Sequence, residues 1–72
     1  MGDKLYTATR LHFEAKQSEA IATLDVYFNK AAGIGEHSDL LTEIIKWTDI
    51  LAASSDALER LATYFNTDGS AK

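Results

Sequence analysis

Gly33 and Gly35, followed by Glu36, His37, Ser38 and Asp39, come closest in this chain to residue types and spacing that could do chemistry. A Gly-x-Gly pair can turn backbone N–H groups towards a phosphate, and a helix N-terminus just beyond it favours an anion. The dinucleotide fingerprint needs a third glycine and a preceding strand, whereas Ser38 and a helical pattern stand here. A Walker loop needs Gly-Lys-Ser or Gly-Lys-Thr, which is missing, and Glu36 and Asp39 repel an anion. The plainer reading is a structural turn. His37 with Glu36, Asp39 and Glu43 has donor types that hold metals, but the other histidine, His12, is far along the first half of the chain. A two-histidine site would then form only between chains, and a hydrogen-bonded turn histidine is the better reading. No Ser, His and Asp set can be assembled on a scaffold that orients it. The expectation is no catalytic residue, no metal and no cofactor: the chain is not an enzyme.

The turn must be held by what flanks it, and both flanks read as helix. In the first, seam positions fall at Tyr6, Arg10, Phe13, Gln17, Ala20, Leu24, Tyr27 and Ala31, in alternating steps of four and three. Ile21 and Phe28 widen this stripe, while Glu14, Lys16, Ser18, Glu19, Asp25 and Lys30 read as a solvated face. Asp3 is read as the N-cap, and Gly33 as the left-handed residue that closes the helix. In the second, Leu40, Ile44, Trp47, Leu51, Ser54, Leu58, Leu61 and Phe65 repeat the same steps, with Ser38 as N-cap. Leu41, Ile45, Ala52 and Ala62 extend that stripe on one side, and Ile50, Ala53 and Ala57 form a weaker one further round.

Facing residues of an antiparallel hairpin have numbers with a constant sum. A sum of 71 pairs both seams throughout, from Ala31 with Leu40 at the turn to Tyr6 with Phe65 at the open end. It sets Gln17 against Ser54, so two uncharged polar positions share one layer, a device that fixes register. The predicted fold is all-α: an antiparallel two-helix hairpin with helices over about 4–32 and 39–66. Residues 1–66 form one domain, and 67–72 read as a frayed, flexible tail.

Composition narrows the function. There is no cysteine, which excludes disulfides and thiolate metal sites, and no proline to break a helix. A net charge of −4, with seven basic residues spread against eleven acids, disfavours nucleic acid. No apolar run reaches the roughly 20 residues that span a bilayer. Met1-Gly2-Asp3-Lys4 does not open a signal peptide, so a cytoplasmic protein is expected. A two-helix hairpin has one internal interface, and Leu11, Val26, Leu41, Ile45, Ile50 and Tyr64 fall outside it. The expectation is a homo-oligomer, most simply a dimer of hairpins forming a four-helix bundle.

Once Gly33 and Ser38 are assigned to caps, Ile34, Gly35, Glu36 and His37 are left as turn residues that the architecture does not require, and so as an interaction turn. The stretch Gly33-Ile34-Gly35-Glu36-His37-Ser38-Asp39 resembles the central turn of short helical proteins from tailed bacteriophages, including cyanophages. The resemblance spans residues 6 to 62. It implies a phage accessory protein acting in the host cytoplasm and brings no catalytic residues with it. The expected function is a non-enzymatic homo-oligomer that binds a host or phage protein. The alternatives are a nucleotide-type ligand trap with a pocket near the turn and a plain structural spacer.

Overall fold

The computed structural model describes residues 1–30 and 39–72. They form two α-helices, α1 over Gly2–Asn29 and α2 over Asp39–Tyr64, packed antiparallel along their length. The result is a rod 49 Å long and 15 Å across in both other directions. Among the described residues no helix is long and apolar enough to cross a membrane.

Both helices keep clear of proline and glycine throughout their interiors. Three threonines inside them bond back to their own helix. Thr9, Thr48 and Thr63 donate to the carbonyls of Leu5, Ile44 and Glu59 at 2.7–2.8 Å. Their polar groups are thus satisfied without interrupting the ladder.

The helix ends differ from the sequence expectation. α1 starts earlier, with Met1 as N-cap, so Asp3 sits in the first turn rather than capping it. There its carboxylate accepts from the Lys4 amide at 2.9 Å, and an acid suits the positive helix end. α1 also stops at Asn29 rather than 32. The Asn29 side-chain amide bonds the Asp25 carbonyl and carboxylate, and Lys30, with φ −134°, leaves helical geometry. The C-cap therefore falls at Lys30, too early for Gly33 to be the left-handed residue that directly follows it. The proposed caps Gly33 and Ser38 themselves lie outside the described residues, as does Ala31.

The seam is where the sequence places it. Every described seam residue except Phe65 is buried or half-buried, and Phe65 stands at the open end. Burial peaks in the middle, at Ala20, Leu24 and Ser54. The small side chains of Ala20 and Ser54 stand in consecutive layers, and side-chain size at the contact sets how closely two helices approach. The polar layer is arranged differently from the expectation. Gln17 does not bond Ser54; its Nε2 donates to Ser55 Oγ at 3.0 Å. Ser54 Oγ is occupied within α2, donating to the Ile50 carbonyl at 2.7 Å and lying 3.2 Å from that of Leu51. Buried and already satisfied, Ser54 offers the glutamine nothing, whereas the half-buried Ser55 hydroxyl is accessible.

The C-terminal residues are folded back rather than frayed. The Lys72 amide bonds the Tyr64 carbonyl at 2.9 Å, and Phe65 and Ala71 pair as an antiparallel bridge. Within this loop the Asn66 amide donates to the Ser70 carbonyl at 2.8 Å, and the Gly69 amide to the Asn66 carbonyl at 2.9 Å. Gly69, at φ +86°, occupies the left-handed region. The turn lies over the start of α1. A Cβ on Gly2 would come within 2.6 Å of the Asp68 carbonyl oxygen, and one on Gly69 within 2.8 Å of the Gly2 oxygen.

Candidate functional site

The interaction turn Ile34, Gly35, Glu36 and His37 lies outside the described residues. Of the acids grouped with His37, Asp39 is exposed in the first turn of α2, and Glu43 pairs with Lys46 at 4.0 Å. Among the described residues no group of three or more metal-binding side chains comes together. His12 is an exposed residue whose ring meets Phe13 edge-on, with centroids 4.9 Å apart. That contact is a packing arrangement for an aromatic pair.

What the described structure does present is apolar surface. Besides Met1 and Phe65, eight large hydrophobic residues are exposed: Leu5, Leu11, Ile21, Val26, Phe28, Leu41, Ile45 and Tyr64. Five of these, Leu11, Val26, Leu41, Ile45 and Tyr64, are residues the sequence places outside the seam; the sixth of that set, Ile50, is half-buried. Helical spacing sorts the surface into two long flanks. Residues seven apart share a line, so Glu14, Ile21 and Phe28 run along one side of α1, and Leu41, Thr48, Ser55 and Ala62 along one side of α2. In an antiparallel pair these two lines are neighbours, and the Gln17–Ser55 bond lies on this side. Leu11 and Ile45 stand on the next lines out.

The second flank carries a cavity of about 540 Å³ near the open end, formed between Phe13 of α1 and Ala57, Leu61 and Tyr64 of α2. Phe65 and the folded-back Ala71 complete its apolar lining, with Arg60 and Lys72 at its polar edge. The Arg60 guanidinium is 3.3 Å from Asp56, and Lys72 Nζ donates to the Ala62 carbonyl. Both cations thus have partners within the chain. The volume is within the range of small-ligand pockets. A smaller groove of about 280 Å³ runs between Leu5, Tyr6 and Thr9 of α1 and Leu61 and Phe65 of α2, reaching the Gly2–Gly69 contact.

The turn that helps close the cavity is organised by Asp68. Its Oδ1 accepts from the Ser70 hydroxyl at 2.6 Å and the Ser70 amide at 2.8 Å. These bonds, the hydroxyl's first, hold the carboxyl below its ordinary pKa. The sequence expectation treats residues 67–72 only as a frayed tail. The available signal was the Asp-Gly pair, a turn dipeptide whose aspartate can bond the backbone two residues on.

Tyr6, Phe13, Leu24, Tyr27, Leu40, Ile44, Trp47, Leu51, Leu58, Leu61 and Phe65, the predicted apolar seam, serve the hairpin contact. Phe13, Leu61 and Phe65 also line the cavity. Trp47 is half-buried, with Lys46 Nζ 5.3 Å from its ring centroid. Compared with known proteins, the chain matches no family model, no curated protein and no solved structure.

Proposed function

We propose that this chain is a non-enzymatic interaction protein: a helical hairpin that self-associates through an apolar flank and binds a protein partner with the surface left over. The observation that carries this reading is the imbalance of burial. Among the described apolar residues only Ala20 and Leu24 are buried, against ten exposed large hydrophobics. A 72-residue chain gains little from a single helix–helix seam, and chains of this size are commonly completed by partners. Apolar surface of this extent on a small domain marks an interaction site.

The likeness of residues 33–39 to the turn of tailed-phage proteins supports a partner of phage or host origin and a place in the host cytoplasm. A nucleotide-type trap centred on the turn is the weaker reading. The cavity of ligand size is at the opposite, open end of the rod and is mostly apolar, which suits an apolar side chain of a partner better than a phosphorylated ligand.

Sedimentation velocity over a range of chain concentrations tests the reading. An assembly of two or more copies that dissociates only on dilution is the expected result. A well-folded monomer at micromolar concentration overturns it.

A further inference from the structure

We infer that a second copy of this chain docks on the flank formed by Ile21 and Phe28 of α1 with Leu41 and Ile45 of α2. The inference rests on the self-association proposed above and assigns it a face. These four side chains are each more than half exposed. Ile21 and Phe28 are two turns apart on one line of α1, and Leu41 and Ile45 one turn apart on α2. An antiparallel register that sets Gln17 beside Ser55 brings the turn-proximal parts of both helices level, so the four form one patch.

Charge separates this flank from the other. Interface cores are depleted of charged residues. Between residues 18 and 28 and between 41 and 55, the patch side carries one charge, Asp25, whose carboxylate accepts from the Asn29 amide at 2.9 Å. Its remaining members there are small or hydroxylic: Ser18, Thr48, Ala52 and Ser55. Over the same residues the opposite flank bears three, Glu19, Glu43 and Lys46. That face can stay in water; the first gains most from being covered.

The size fits a second hairpin. A whole side of the rod, 49 Å by 15 Å, is comparable to the roughly 800 Å² per partner of a standard interface, and the four-residue patch is the apolar part of that side. The occupant must also be present whenever the chain folds, because among the described apolar residues the hairpin fully buries only Ala20 and Leu24 and leaves the rest of its seam half-exposed. A second copy meets that requirement at any level of expression and at fixed stoichiometry. Two hairpins joined this way give the four-helix bundle, with the patches as part of its core and the cavity beside Phe13 left on the outside.

Sedimentation equilibrium on two charged double variants of the full chain tests the face. Leu41→Lys with Ile45→Lys should raise the dimer dissociation constant by at least about 100-fold, since four buried apolar side chains per dimer are replaced. Val26→Lys with Ala53→Lys, on the opposite flank, should change it by less than about threefold. A dimer that survives the first pair, or is broken by the second, overturns the face while leaving self-association standing. A wild-type chain that is a well-folded monomer at micromolar concentration overturns both.

Should the first variant lose its helicity, thiol footprinting decides, because the chain has no cysteine of its own. The reactivity of a Thr48→Cys thiol should fall at least about tenfold as concentration rises through the association range, and that of Ala53→Cys should not. Equal reactivity at the two positions overturns the inference.

Discussion

Among the described residues Gln17 and Ser55 are the pair whose side chains bond across the hairpin, Nε2 to Oγ at 3.0 Å, just past the middle of α1 and about a third of the way along α2 from the open end. One position either way would lose the bond and rotate both seams out of contact. The polar link thus favours one register among apolar contacts that are less discriminating. Ser55→Ala should cost about 0.5–1.5 kcal/mol, the net value of a hydrogen bond between half-buried groups. Urea unfolding at fixed chain concentration measures this. A Gln17→Ala, Ser55→Ala double variant no worse than either single variant identifies the loss with the bond; fully additive costs would show the two residues acting separately.

Much of the hairpin was legible because a helical seam is a one-dimensional pattern. Steps of four and three from Tyr6 to Tyr27 and from Leu40 to Phe65 fix the contacting faces, and the short connection between the helices sets the antiparallel direction. What escaped was decided by hydrogen-bond competition. Ser54 looked like the partner of Gln17 by numbering, but its hydroxyl has two carbonyls of its own helix within reach. Lys30 ends α1 before the glycine that periodicity favours, because Asn29 can turn its side chain back on Asp25. The groove at the open end was illegible for another reason. It needs residues 65–72 to fold over the start of α1, and the closeness of Gly2 to Gly69 follows from no local pattern.

That closeness makes the two glycines sensitive to a single methyl group. Gly69→Ala combines a left-handed backbone with a Cβ 2.8 Å from the Gly2 oxygen, and should release the 65–72 fold at a cost of about 1–2 kcal/mol. Gly2→Ala meets the Asp68 carbonyl oxygen at 2.6 Å and should act on the same contact despite ordinary helical geometry. Hydrogen exchange at the Lys72 amide reports the release, since that amide bonds the Tyr64 carbonyl only while the turn is folded back. Unchanged protection in both variants would show that the contact is not what holds the turn.

The seam should respond to volume in both directions. Leu24 is nearly fully buried, and Leu24→Ala should cost about 2–3 kcal/mol, at the lower end for buried leucines because a two-helix seam can partly collapse. Ala20 is wholly inaccessible, so Ala20→Leu should force the helices apart at a cost of about 1–3 kcal/mol. Thermal unfolding followed by circular dichroism ranks the two. An Ala20→Leu protein as stable as the wild type would place the closest helix approach elsewhere.

Asp68 should give the C-terminal turn an acid limit. Its carboxylate is stabilised in the folded turn by the Ser70 hydroxyl and amide, so its folded pKa is below the unfolded one. A depressed carboxylate contributes its stabilisation above the unfolded value, about pH 4, and loses it as pH falls through the lower folded value. The Ser70 amide resonance should therefore hold its position at neutral pH and move only in strong acid, with a midpoint below about 4. In Asp68→Ala that amide has no carboxylate to accept from it. Its resonance should sit near an exposed amide's position already at pH 7 and show no acid transition. Because the carboxylate is solvent-exposed, global melting should change little across the same range, while contacts that depend on the turn, including the Lys72 amide bond to Tyr64, loosen together. A transition at or above the ordinary carboxylate value would show that Ser70 does not hold Asp68 in solution, and the closed end of the cavity beside Phe13 would lose the turn that completes it.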